Sequence, residues 1–137
     1  MSKALNYLGI ARMSGNIEIG EENSKELVKA GQARLLLVAS DASDAAKRRA
    51  EGYVYGFRTP LVEIPFTKGD VAQIVGRTGC SMVALRDLGL AKSFADALVA
   101  EYGEPYAELA VALDAKLKKT RERKARGWKA GNRRNRE

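Results

Sequence analysis

The feature that most constrains the fold is the run Leu35 to Ala39, in which five consecutive residues are apolar. A strand of this kind has no face to turn to water, so it belongs at the centre of a sheet covered on both sides. Short segments with strand or helix periodicity alternate along the rest of the chain. The sequence therefore predicts an α/β fold, a sandwich in which helices cover both faces of a small mixed sheet.

The segments around this strand have recognisable ends. Apolar spacing predicts a helix over residues 3–13, a very short strand over residues 17–19 and a second helix from Gly20 to about Ala30. After the central strand, Ser40 and Asp41 are placed to cap a third helix. We expect that helix to span residues 42–50, before a loop bracketed by Gly52, Gly56 and Pro60 and a strand over residues 61–64.

The second half of the chain continues the alternation. Thr67 and Asp70 have the spacing of a capping box and predict a helix that ends before Gly76. A strand over residues 81–85 and a helix with an apolar stripe beginning at Leu90 follow. Pro105 suits the first turn of a last helix, whose apolar face should dock on the domain.

The net charge of +7 is unevenly distributed. Residues 116–137 hold eleven of the 24 Lys and Arg residues and two of the 17 acidic residues, so this segment carries +9. The 13 basic and 15 acidic residues that remain give residues 1–115 a charge of −2. A basic segment joined to a nearly neutral domain is typical of chains that meet phosphates, although it also fits a solvated tail.

These patterns predict three parts in the chain. Residues 1–100 form the sandwich domain, residues 101–126 a helical extension and residues 127–137 a basic disordered tail. The start of the chain has no long apolar region, and the apolar runs are too short to span a bilayer. We therefore expect a cytoplasmic protein without a membrane partner.

Several kinds of chemistry are disfavoured by the composition. The chain has no histidine and a single cysteine, Cys80, so it has neither an intrachain disulfide nor a zinc site built from Cys and His. The commonest general base is missing, and residues 76–81 lack the lysine of a phosphate-binding P-loop. We expect no enzymatic activity, no cofactor and no bound metal.

Two segments are candidates for ligand binding. The second predicted helix begins at Gly20, and a helix N-terminus presents unpaired N–H groups that suit phosphate oxygens. Asn23, near that terminus, has an amide that can hydrogen-bond a base edge. The loop before the last strand, residues 76–81, is the second segment.

Four stretches of the sequence carry a resemblance to a known family. They are residues 8–12 (LGIAR), 19–22 (IGEE), 28–43 (VKAGQARLLLVASDAS) and 83–92 (VALRDLGLAK). The chain resembles the kink-turn RNA-binding ribosomal-protein family, the L-seven-Ae type, and in particular its small bacterial YlxQ-like members. The resemblance covers about residues 3–100 and is most specific from Gly31 to Ser43.

This resemblance implies a three-layer α/β/α sandwich that recognises sharply bent RNA. The implied contacts are the N-terminal end of the second helix and the loop before the last strand. In this chain they fall on Gly20, Glu22, Asn23, Glu26, Gly79, Cys80 and Ser81. The resemblance also implies association with ribosomes or translation, with structured RNA as the partner and ribosomal proteins as neighbours.

The second helix departs from the best-known family pattern, in which Asn, Glu and, three residues later, Lys follow the glycine. Here those places hold Glu22, Asn23 and Glu26, while Lys25 lies one position early. A carboxylate in the place of a lysine repels phosphate. Further basic or aromatic candidates for RNA contact are Lys25, Lys29, Arg34, Arg86, Lys118, Lys119, Arg121, Arg123, Lys124, Arg126, Trp128 and Lys129.

These residues also have explanations that involve no ligand. Lys25, Lys29 and Arg34 also fit a solvated surface, Arg86 also fits a cap for Asp87, and Cys80 also fits a small buried apolar residue.

Two other binding functions remain. The sequence IVGRTG at residues 74–79 resembles the loop of a KH domain, but a helix should follow that loop, and a strand is predicted instead. The second is a protein-interaction adaptor, because the carboxylates of Glu22 and Glu26 suit a protein partner better than a phosphate.

Overall fold

The computed structural model describes residues 2–78 and 80–136, and the side chains from residue 125 onward lie outside that description. Its four strands are β1 (Ile17–Ile19), β2 (Leu35–Val38), β3 (Leu61–Glu63) and β4 (Met82–Leu85). Its helices are α1 (Lys3–Met13), α2 (Glu21–Lys29), α3 (Asp44–Val54), α4 (Lys68–Val75), α5 (Leu88–Tyr102) and α6 (Ala107–Arg136). A 3-10 turn, Glu104–Tyr106, joins α5 to α6 and contains Pro105.

The strands form one mixed sheet in the order β1-β4-β2-β3. β2 pairs with β3 in parallel, whereas β4 runs antiparallel to both β1 and β2. The central strands β2 and β4 are buried along their whole length. This confirms the position predicted for the apolar run and the small mixed sheet.

Alternate residues of the central strands point into two separate cores, as the two-residue period of a strand requires. Leu35 and Leu37 of β2 pack into the core under α1, α4, α5 and α6. Leu36 and Val38 pack into a second core beneath α2 and α3. The molecule is thus the predicted α/β/α sandwich.

Two caps decide where helices begin. The Thr67–Asp70 capping box is present, with each side chain accepting from the other residue's backbone N–H. In α3 the prediction was wrong, because Ser43 rather than Ser40 or Asp41 caps the helix. The Asp41 carboxylate instead accepts from the backbone N–H of Lys68, 2.8 Å away, and so joins the end of β2 to the start of α4.

The C-terminal helix packs on the domain as expected. Leu113 is fully buried, and Leu109 and Leu117 contact the same core from the same face of α6. Its backbone continues to Arg136, ten residues beyond the end predicted at residue 126, because Lys, Arg and Ala favour helix and Gly127 costs only about 1 kcal/mol. The disorder predicted for residues 127–137 stays a prediction.

No helix in the part of the chain described by the structure combines the length and the apolar character needed to cross a bilayer.

Candidate nucleic-acid interface

The N-terminus of α2 meets the start of β4 at one edge of the sheet. The backbone N–H of Gly20 donates to the carbonyl oxygen of Met82 at 3.0 Å. At the neighbouring strand, the N–H of Ala39 donates to the carbonyl of Ser81 at 2.9 Å. We call this region, residues 20–26 together with residues 76–78, 80 and 81, the α2–β4 edge.

Gly20 gives this edge its shape. Its φ of 98° lies in a region that favours glycine, and it stands at the N-cap position without a capping side chain. The first intrahelical bond at this end is from the N–H of Ser24 to the carbonyl of Gly20. The N–H groups of residues 21–23 therefore point out of the helix end, where a phosphate or carboxylate oxygen can accept them.

A cluster between α2 and α3 holds the first turn of α2 in place. Arg49 donates two hydrogen bonds, of 2.7 and 3.0 Å, to the carboxylate of Glu21, and the Tyr53 hydroxyl donates a third. The Nζ atom of Lys25 lies 5.6 Å from the centre of the Tyr53 ring. The bonds from Arg49 and then Tyr53 lower the pKa of Glu21, although burial acts in the opposite direction. The negative charge of Glu21 is thus balanced by Arg49, and Glu21 fixes the first turn of α2 to α3.

The acidic residues that depart from the family pattern are open to solvent. Glu22, Asn23 and Glu26 are exposed, and the Asn23 amide donates to the carbonyl of Ile19 at 3.1 Å. That bond uses the amide nitrogen of Asn23, and the side-chain oxygen of this exposed residue can still accept a hydrogen bond from a ligand. Asn23 and Glu26 also line a shallow cleft of about 230 Å³, together with the ion pair of Glu18 and Arg86.

Two arginines border the loop of this edge, and sequence reasoning did not identify either of them. Burial raises the pKa of the Cys80 thiol, and the positive charge of Arg77 nearby opposes that shift in part. The guanidinium of Arg12 lies against Gly76, where a Cβ atom would come within 2.9 Å of Nη2. Both cations add positive charge to an edge whose helix carries carboxylates.

The structure does not bring all of the predicted residues together at this edge. Cys80 is buried and Ser81 half-buried at the start of β4, while Arg86 lies beyond the other end of that strand and is paired with Glu18. Lys29 is exposed on the last turn of α2. Gly79 lies outside the described residues, as do the side chains of Arg126, Trp128 and Lys129.

The basic residues of α6 as far as Lys124 are divided between two faces. Lys118 pairs with Asp114 at 3.2 Å, and Arg121 and Lys124 are exposed. Lys119 and Arg123 lie together with Arg34 in a cleft between α6 and the domain. Among the described residues there is no group of three side chains able to hold a metal ion.

Comparison with known proteins bears on this geometry. The chain is 28% identical over 90 residues to the RNA-binding protein YlxQ of Enterococcus faecium, a match that covers 66% of this chain and 85% of that protein. No protein-family model matches the chain.

Two solved structures share the fold. A protein of unknown function from Bacillus halodurans matches with a TM-score of 0.66 and 21% identity over 72% of this chain and 98% of its own. The 15.5kD RNA binding protein of Giardia lamblia matches with a TM-score of 0.57 and 18% identity over 69% of this chain and 80% of its own. The match to YlxQ confirms the predicted resemblance to the L-seven-Ae type of RNA-binding protein and its YlxQ-like bacterial members, and the two solved structures confirm the fold.

Proposed function

We propose that this protein binds RNA and that it recognises a structured, sharply bent RNA at the α2–β4 edge. The observation that carries the proposal is the open N-terminus of α2, fixed beside β4 by the hydrogen bond from Gly20 to Met82. Outward N–H groups at the positive end of a helix dipole suit a phosphate that the bend brings close. Shape and backbone recognition of this kind is common in proteins that bind structured RNA.

The names of similar proteins support this proposal. Both YlxQ of Enterococcus faecium and the 15.5kD protein of Giardia lamblia are named as RNA-binding proteins. The family resemblance adds the kink-turn as the target and the ribosome or the translation apparatus as the setting. In this setting the protein binds a structured ribosomal RNA in the cytoplasm, and the neighbouring ribosomal proteins are its protein partners.

The charges of the molecule divide the task of binding. Glu22 and Glu26 repel phosphates that run along α2, so contact at this edge depends on the helix end and on Asn23. The general attraction comes from the segment 116–137, which carries +9. The domain then selects the RNA by shape, while the basic segment raises the affinity for every RNA.

A titration of the full-length, ¹⁵N-labelled protein with a kink-turn RNA tests the placement. We expect the largest amide shift changes at Gly20, Glu21, Glu22 and Ser81. A duplex with the same stems but without the kink is the matched control, and it should shift these amides much less. Equal changes with both RNAs, or changes confined to the other end of α2 near Gly31, would contradict recognition at the α2–β4 edge.

The exposure of Glu22 and Glu26 favours a second function, that of a protein-interaction adaptor with an RNA-binding tail. The two functions differ in what the chain truncated after Leu117 retains. If it captures RNA selectively, the α2–β4 edge reads RNA. If it captures protein through Glu22 and Glu26 and no longer binds RNA, the adaptor function holds.

A further inference from the structure

A cleft of about 500 Å³ opens between the domain and α6, at the end of α2 opposite the α2–β4 edge. Gly31, just beyond the C-terminus of α2, lies on its rim, so α2 separates the two regions by about 14 Å at ~1.5 Å per residue. Five basic side chains line this cleft. They are Arg34, Arg58, Lys116, Lys119 and Arg123. We call it the basic cleft.

Hydrogen bonds hold the walls of the basic cleft together. The Thr59 hydroxyl donates to the carbonyl of Ala33 at 3.0 Å and fixes the loop after α3 beside the start of β2. The Lys116 ammonium donates to the carbonyl of Arg58 and joins α6 to the same loop. The cleft is therefore formed before any ligand binds, which reduces the entropy lost on binding.

Its charges lack acidic partners among the described residues. None of the side chains that line the basic cleft is acidic, and none of its five cations takes part in an ion pair there. Burial lowers the pKa of Lys116, and the nearby positive charges of Arg34 and Arg58 lower it further. Cations gathered in this way repel one another, and an anion bound among them relieves that repulsion.

An aromatic side chain lies beside these cations. Phe57 is 42% exposed and lines the same cleft. Exposed aromatic rings within a basic groove stack on the unpaired bases of single-stranded nucleic acid, while the cations hold the phosphates. The cleft has a volume in the range of about 300 to 1,000 Å³ that is typical of small-ligand sites.

We propose that the basic cleft is a second RNA-contact site, which holds the phosphates of a single-stranded segment between Arg34, Arg58 and α6 and stacks one base on Phe57. This inference rests on the proposed function and extends it. An unpaired strand that leaves the bend at the α2–β4 edge and avoids the carboxylates of Glu22 and Glu26 has about 14 Å to cover before it meets the basic cleft, at ~1.5 Å per residue of α2. Phe57 favours RNA over an acidic peptide, because a peptide of Asp and Glu offers no base to stack.

Three full-length variants test the cleft against matched probes. The pair R34Q and R58Q removes two cleft charges but keeps the backbone carbonyl of Arg58 that binds Lys116. The pair K3Q and R48Q removes the same charge from exposed positions outside the cleft. F57A removes the stacking ring without changing the charge. Affinities for an unstructured RNA of ten uridines and for a kink-turn RNA are measured over a range of salt concentrations.

We expect the cleft pair to weaken binding of the ten-uridine RNA by about tenfold or more and to reduce the slope of log K against log salt by about 1.4, at ~0.7 per phosphate. F57A should weaken binding by roughly tenfold with the slope unchanged. The control pair should change both quantities much less. Thermal unfolding of each variant establishes that the fold is retained.

The outcomes separate this inference from the proposed function. If the control pair loses as much affinity as the cleft pair, or if a ten-glutamate peptide competes as well as the RNA, the inference is wrong, and the proposed function is decided separately by the amide shifts of the α2–β4 edge. If the cleft variants lose affinity for the ten-uridine RNA but the kink-turn RNA leaves the α2–β4 edge unshifted, the inference stands and the proposed site is wrong. If the wild-type protein binds neither RNA, both are wrong.

Discussion

The two ends of α2 hold their charges in different ways. At the α2–β4 edge, Glu21 is neutralised by Arg49 and Tyr53, and the helix end offers backbone N–H groups in a fixed geometry. At the basic cleft, by contrast, five cations gather without acidic partners among the described residues. The first arrangement suits selection by shape, and the second suits attraction of any phosphate chain. Selectivity and affinity can therefore reside in separate places on a small domain.

The largest expected effect concerns the attachment of α6, because the basic cleft exists only while this helix is packed on the domain. Leu113 is fully buried, so Leu113→Ala should lower the free energy of unfolding by about 2 to 5 kcal/mol. Chemical denaturation measures this loss. Val111→Ala, on the same helix but 70% exposed, should change stability by less than about 0.5 kcal/mol. Equal losses would mean that α6 and the domain are not packed as described.

The next effect separates affinity from selectivity. A chain ending at Leu117 keeps the apolar contacts of α6 but lacks ten of the 24 basic residues. Its affinity for every RNA should fall by tenfold or more, at ~1.4 kcal/mol per tenfold, and its salt slope should fall by about 0.7 for each phosphate that is no longer neutralised. The ranking among RNAs should survive. A changed order of affinities would mean that the basic segment determines the specificity for RNA, with Trp128 as its stacking residue.

Asn23 tests the selectivity of the α2–β4 edge. If its exposed amide contacts a base, Asn23→Ala should weaken kink-turn binding by about 1 to 3 kcal/mol and leave binding of the ten-uridine RNA unchanged. Calorimetric titration measures both affinities. Asn6→Ala, at an exposed position on α1, is the matched control. An unaltered affinity for the kink-turn would leave Asn23 with its structural bond to Ile19 alone.

Glu26 tests whether the edge uses the family's mode of binding. Glu26→Lys replaces a repulsive charge with an attractive one and should strengthen kink-turn binding by about 0.5 to 1 kcal/mol, the size of an exposed charge effect. Glu108→Lys makes the same charge change on the exposed first turn of α6 and should favour both RNAs equally. If Glu26→Lys leaves the affinity for the kink-turn unchanged or reduces it, the RNA binds elsewhere or belongs to another structural class.

The smallest expected effect is the acid dependence of stability at the α2–β4 edge. Because Arg49 lowers the pKa of Glu21 below its ordinary value of 4.5, the ionised carboxylate stabilises the fold. This contribution is complete above pH 4.5 and disappears as the pH falls through the lowered pKa. Glu21→Gln should therefore cost less than about 1 kcal/mol at neutral pH and almost nothing in strong acid, as measured by urea unfolding.

Glu22→Gln is the matched control for that measurement, since Glu22 is exposed in the same helical turn. It should lower stability little at any pH. The same loss in both variants would show that the helix dipole, rather than the bonds from Arg49 and Tyr53, makes the carboxylate favourable.

Elements whose signals are local or periodic could be predicted from the sequence alone. The apolar run fixed β2 as a central strand, because four residues buried on alternating faces need a core on each side. The spacing of Thr67 and Asp70 fixed the start of α4, because a capping box is completed within four residues. The same holds for the apolar face of α6, which follows from helical periodicity alone.

Features that depend on distant partners emerged only in the tertiary structure. Asp41 does not cap α3, because its carboxylate accepts from the N–H of Lys68, 27 residues away. Helix α3 continues through Gly52 and carries Tyr53 to Glu21, a contact across 32 residues. The basic cleft draws Arg34, Arg58 and the face of α6 from three separate segments. Local propensity does not encode such contacts, because they form only when the packed layers bring distant segments of the chain together.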